Sequence, residues 1–172
     1  MFLLNRLNFF NITVLTVLIL PCIANAQDLH AEVEQCDSPG ARENLQRADL
    51  FLAENHNREG VIATESGLQY KVLKAGSGTK HPRGRDTVST HYTLTNLNGD
   101  KLDSSHDRRM PLQFVVTEVI AGWQEALQLM TEGQQLQLFV PPHLGYRCKG
   151  SPPIIGPNEL LIFDMELIAI VR

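Results

Sequence analysis

The stretch "ELLIFDMELIAI", Glu159 to Ile170, constrains the fold more than any other part of the chain. Leu161, Phe163, Met165 and Leu167 form one wholly apolar set, while Asp164 and Glu166 stand on the alternate set. A repeat of two belongs to an extended strand, whose successive side chains point to opposite faces. The segment is therefore predicted as a strand with one face in a core and Phe163 pointing inward. Such a strand needs partners.

The partners are legible. In "DTVSTHYTLTNL", Val88, Thr90, Tyr92 and Leu94 share one face and Ser89, His91, Thr93 and Thr95 the other, so Tyr92 points inward. "LQYKVLKA" from Leu68, closed by "GSG", reads as another strand, as do "LQFVV" and "QQLQLFV". "NGD" at Asn98 to Asp100 marks a tight hairpin turn, because Asn-Gly accepts positive φ. Between the strands, Ile120, Trp123, Leu127 and Met130 recur at helical spacing, so "AGWQEALQLM" is a short helix with Trp123 on its buried face. The fold class is α+β: a curved antiparallel β-sheet wrapped around one short α-helix. A second short helix precedes it, from Ala41 to about Glu59, with Leu45, Ala48 and Leu52 on one face. Too short to be stable alone, it must lean on the main domain or on a partner.

Residues 1–26 differ from the rest. Arg6 is their only charge, "ITVLTVLILPCIA" is uncharged, and "ANA" at Ala24 to Ala26 has the small-x-small form of a cleavage site. This is the pattern of a signal peptide cut after Ala26, giving a periplasmic or secreted protein with no membrane attachment; the alternative is an uncleaved inner-membrane anchor. The expected divisions are 1–26, a polar segment with its short helix at 27–60, and the main domain at 61–172. The formal charge is −4, and losing Arg6 takes it to −5. With no basic stripe, nucleic acid is not an expected partner. Cys36 and Cys148 remain after cleavage, and either form a disulfide or stay reduced. His143 and Cys148 lie five apart, which is no recognised metal spacing, and neither metal nor cofactor is expected.

"VSTHYTLTNLNGDKLDSS", "VIAGWQEAL", "VPPHLGYR" and "NELLIFDMEL" occur in that order, and their spacing resembles the FKBP-type peptidyl-prolyl cis-trans isomerases, especially the exported bacterial ones related to the macrophage infectivity potentiator. The resemblance runs from about Gly67 to Ile170. It implies the FKBP-like fold and a pocket that accelerates rotation about Xaa-Pro bonds in exported proteins without covalent chemistry. The alternative on the same fold is a chaperone or proline-segment binding module without catalysis. By position, the resemblance assigns Asp103, Tyr92 and Tyr146 to the chemistry. It assigns Leu102, Arg108, Leu112, Phe114, Val119, Ile120, Trp123, Ile154, Ile155 and Phe163 to proline binding. The Ile120 amide and Tyr146 hydroxyl would hold carbonyls beside the proline, with Asp103 oriented by Tyr92 and Arg108. Implied partners are proline-containing unfolded or partly folded polypeptides and the family's macrolide inhibitors, with the protein a monomer or weak dimer. Leu102 and Leu112 stand where the best-known members carry phenylalanine, and Arg147 and Gly156 where the motif usually has glycine and proline.

Overall fold

A computed structural model describes residues 36–171; the expected signal segment at 1–26 lies outside them. Helix α1 (Pro39–Asn55) leads into strands β1 (Val61–Ala63), β2 (Gln69–Lys74), β3 (Thr87–Thr95), β4 (Lys101–Ser104) and β5 (Leu112–Val115). Helix α2 (Ala121–Leu129), β6 (Gln135–Val140) and β7 (Leu161–Val171) complete the chain. The strands form one antiparallel sheet in the order β1-β2-β6-β7-β3-β4, with β5 pairing the first half of β3.

The period-two reading of the last strand holds. Leu161, Phe163, Met165 and Leu167 are at most 4% exposed, while Asp164 faces solvent. Burying a side chain of this size contributes about 1.5–3 kcal/mol, so this strand alone anchors the core. Its neighbour β3 buries Val88, Thr90, Tyr92 and Leu94 as its alternation requires. The register of β3 against β7 shifts between Ser89 and Thr90, and such an irregularity bends a strand and strengthens its twist. That bend lets one sheet curve around α2.

Helix α2 lies across the curved face, burying Trp123, Ala126 and Leu127, with Met130 closing it as a buried C-cap. Gly122 permits the close approach: a Cβ there would come within 2.6 Å of Val140 Cγ1.

Helix α1 packs elsewhere. Phe51 meets Phe139 at 5.7 Å between ring centroids, and Phe139 alternates with the core-facing Leu138 and Val140, so α1 covers the sheet's other face. The helix leans on the main domain, as its length demands. Its face and end differ from expectation. Ala41, Ala48 and Asn55 are buried, Leu45 is left exposed, and the helix stops at Asn55 rather than near Glu59. A polar anchor causes the rotation: Asn55 Nδ2 donates to Gln69 Oε1 (2.9 Å), and Gln69 Nε2 donates to the Leu52 carbonyl (2.9 Å). Helix periodicity in hydrophobicity cannot register a buried asparagine. The helix starts within "DSPG", with the Ser38 hydroxyl accepting from the Ala41 amide (3.2 Å) ahead of Pro39.

The turn after β3 also differs. Only Gly99 of the Asn-Gly pair has positive φ (84°), and the loop from Asn96 to Asp100 is organised by Asn96, whose Oδ1 accepts from the Asn98 and Asp100 amides. An asparagine bonding the backbone two residues on gives a longer loop than a two-residue hairpin. No described helix is long and apolar enough to cross a membrane.

Candidate functional site

The site is built on Trp123. Near the start of α2, its ring is 5% exposed and meets Tyr92 from β3 at 5.0 Å and Phe163 from β7 at 5.1 Å, both edge to face. Phe114 from β5 lies 5.5 Å from the same ring. Edge-to-face pairs at these separations each add about 0.5–1.5 kcal/mol beyond area burial. The cluster makes a stiff floor under a cavity of ≈ 540 Å³. Leu94, Leu112, Val119 and Ile155 supply further apolar wall.

On one side the wall is polar. The Tyr92 hydroxyl donates to Asp103 Oδ2. Arg108 closes the triangle, donating from Nη1 to Asp103 Oδ1 (2.5 Å) and from Nη2 to the Tyr92 oxygen (2.7 Å). The Ser104 amide adds a fourth bond, to Asp103 Oδ1 at 2.8 Å. Burial and the Asp103 carboxylate both push the Tyr92 phenol above its usual range, against Arg108. Burial would raise Asp103, but its bonds from Tyr92 and Arg108 outweigh it and hold the carboxyl below the usual range. The phenol stays neutral and the carboxylate ionised.

Two backbone segments form the mouth. The 3₁₀ turn Val116–Glu118 leads into Val119 and Ile120, and is pinned from behind where Val116 N–H donates to Asp86 O (3.0 Å) and Thr117 N–H to Gly84 O (3.1 Å). Gln124 Nε2 donates to the Val119 carbonyl at 2.7 Å and holds it out of the mouth's bonding. Ile120 is the N-cap residue of α2, where helix geometry leaves amides without intrahelical acceptors.

The opposite lip runs from Tyr146 to Gly156. Tyr146 is 38% exposed at the rim, Ile154 is exposed and Ile155 buried. Ser151 and Ile155 pair by two backbone bonds, 2.9 and 3.0 Å, which close the loop on itself. The loop's geometry accounts for Gly156 and shows what position 147 demands of its residue. Arg147 has φ 53°, in the left-handed region, which accounts for the glycine usual there. Gly156 N–H donates to Glu159 Oε2 at 2.7 Å, a bond that proline could not make.

Of the residues the sequence assigned, Tyr92, Asp103, Leu112, Val119, Ile120, Trp123, Tyr146, Ile154, Ile155 and Phe163 line this one cavity. Leu102, Arg108 and Phe114 do not line it. Leu102 and Phe114 pack behind it against the core, and Arg108 acts through Asp103 and Tyr92. Leu94, Glu118 and Ser151 line it without having been assigned to it. Leu94 was findable, because it shares the inward set of Tyr92. Glu118 and Ser151 sit in a 3₁₀ turn and a loop, where no periodicity marks the inward side.

Cys36 and Cys148 are joined as a disulfide with Cα atoms 4.8 Å apart, tying the start of α1 to the lip just beyond Tyr146. Asn44 Nδ2 donates to the Pro157 carbonyl (2.9 Å) and Asn158 Nδ2 to the Ala41 carbonyl (3.2 Å), so α1 braces this lip at several points. A second cavity of ≈ 790 Å³ lies beside the disulfide, against α1, and shares no residue with the first. No group of three or more metal-ligating side chains occurs among the described residues.

An apolar floor with a few fixed polar groups at its edge is the form of a small-ligand pocket. Residues 78–168, more than half of the chain, match the FKBP-type peptidyl-prolyl cis-trans isomerase family. The chain belongs to that family. Residues 22–72 match the domain that lies amino-terminal to FKBP-type isomerases. Among similar proteins, the outer membrane protein MIP of Legionella longbeachae is 43% identical over 148 residues, 85% of this chain and 62% of that protein. The macrophage infectivity potentiator of Trypanosoma cruzi is 34% identical over 97% of this chain and 87% of that protein. The crystal structure of FkpA from Escherichia coli superposes with a TM-score of 0.73 at 32% identity, over 88% of this chain and 74% of that one. The chain spans only 48–62% of the length of several curated FKBP-type relatives it matches.

Proposed function

We propose that this FKBP-type chain is a peptidyl-prolyl cis-trans isomerase acting on proline-containing segments of unfolded or partly folded exported polypeptides. The observation that carries this reading is the closed Tyr92–Asp103–Arg108 triangle beside a cavity floored by Trp123. Rotation about an amide faces a barrier of roughly 18–20 kcal/mol, because resonance holds the bond planar. A twisted amide loses that resonance and the charge separation it carries, keeping a ketone-like carbonyl, so a dry aromatic cavity favours it relative to the planar ground state. Trp123 serves as the platform for the proline ring, with Phe163, Val119, Ile155 and Leu112 around it. The Ile120 amide and the Tyr146 hydroxyl hold carbonyls on either side. Asp103, kept ionised and oriented by Tyr92 and Arg108, faces the twisting carbonyl and the electropositive edge of the amide. Leu102, Phe114 and Ile154 support the wall and the lip.

Residues 1–26 act as a signal peptide in this reading, followed by the polar segment and helix to residue 60 and the isomerase domain from 61 to 172. The mature protein works outside the inner membrane as a monomer or weak dimer, and the family's macrolide inhibitors compete for the pocket. The test is turnover of a Leu-Pro peptide by the mature chain, wild type against Asp103→Ala and Tyr146→Phe. Acceleration that is reduced in both variants supports the assignment. Macrolide binding without any acceleration would leave a holding site for proline segments on the same fold, a reading favoured by the more open wall at the 37%-exposed Leu112.

A further inference from the structure

The charged residues that line the cavity are all acidic, the bases of the opposite lip, Arg147 and Lys149, lying outside the lining. The lining contains two acids, Asp103 and Glu118, and no lysine, arginine or histidine. The two acids are not equivalent. Asp103 is saturated by Tyr92, Arg108 and the Ser104 amide. Glu118 closes the 3₁₀ turn before Val119, is exposed, and makes no ion pair among the described residues. Its backbone is fixed on both sides, by the Thr117 bond to Gly84 and by Gln124 on Val119, so the carboxylate is held at the rim rather than on a wandering loop.

We infer that Glu118 sets a substrate preference: among Xaa-Pro segments, the site favours those with lysine or arginine flanking the dipeptide and disfavours those with acids there. This rests on the isomerase reading for the word substrate, but the preference itself is a property of the pocket. A chain whose proline lies on Trp123 passes between this rim and the Tyr146 lip, and its side chains on the Glu118 side meet a carboxylate with no ion-pair partner among the described residues. The mature chain's overall negative charge adds in the same direction at low salt. Interactions of exposed charges are weak, so the expected discrimination is about two- to fivefold for each charge step.

The experiment uses three peptides, identical but for Lys, Gln or Glu next to a Leu-Pro unit. Binding is followed by the fluorescence of Trp123, the chain's only tryptophan, and isomerisation is timed in parallel. Affinity should rank Lys above Gln above Glu. The spread should collapse in Glu118→Gln, invert in Glu118→Lys, and shrink in high salt as screening shortens its reach. Equal affinities in the wild type, or a ranking that survives Glu118→Gln, would overturn the inference. A charge ranking in binding with no peptide isomerised faster would support it while overturning the isomerase reading. Turnover without ranking would do the reverse.

Discussion

The Tyr92 hydroxyl donates to the Asp103 carboxylate while accepting from Arg108 Nη2 at 2.7 Å, so a single phenol fixes both members of an ion pair at the pocket edge. Tyr92 also lends its ring to the floor, 5.0 Å from Trp123. The two contributions separate in Tyr92→Phe. The ring packing should persist, with thermal stability falling by about 1 kcal/mol for the lost hydrogen bonds. Peptide isomerisation should fall by about tenfold or more, because the carboxylate loses its orienting donor. Urea unfolding and turnover on the same sample check both halves.

The triangle also fixes a pH window. Asp103 titrates below its ordinary range in the folded chain, so its contribution is complete above about pH 5 and is lost only as pH falls through the depressed value. Tyr92 titrates above its ordinary range, so its contribution as a neutral donor is complete up to about pH 10 and is lost only above that. Binding of a neutral Xaa-Pro peptide should therefore be flat from pH 5 to 9. A midpoint within that window would mean that another group governs the site.

Arg147 occupies the left-handed region at φ 53°, a conformation that costs an L-residue about 1–2 kcal/mol. Arg147→Gly should raise stability by about 0.5–1 kcal/mol once the extra chain entropy of glycine is set against the relieved strain. A β-branched substitution, Arg147→Val, should lower it. The midpoints of chemical denaturation decide.

The disulfide closes a loop across a sequence separation of 112 residues. In the chain-entropy description, a loop of that length contributes about 3–5 kcal/mol through the unfolded state. Cys36→Ser with Cys148→Ser should lower the melting temperature by well over 5 °C. The paired variant should also weaken peptide binding, because α1 then braces the Tyr146 lip only through Asn44 and Asn158.

What the sequence revealed follows from which interactions leave a period. Phe163, Tyr92 and Trp123 converge on one cluster, and each was legible because a strand repeats every two residues and a helix about every 3.6. Strand β1, three residues long, leaves too little repeat to read, and β4, "KLDS", has a single apolar residue, Leu102, and so no alternation. The face of α1 was misread because Asn55, not a leucine, is the residue that docks it. Gly122 and Arg147 are meaningful only in three dimensions, one through the nearness of Val140 and the other through its φ angle. Asp103 and Arg108 were joined by resemblance alone, since their spacing of five fits neither a helix face nor a strand face. Glu118 had no signal at all, because its importance lies in what does not pair with it.

The most direct test of the central claim is nuclear magnetic resonance exchange on a Leu-Pro peptide with catalytic amounts of the mature chain. Wild type should broaden and merge the cis and trans signals, macrolide should restore them, and Trp123→Leu should leave them largely separate. Signals that stay separate with wild type, under conditions where the peptide is bound, would contradict the isomerase assignment.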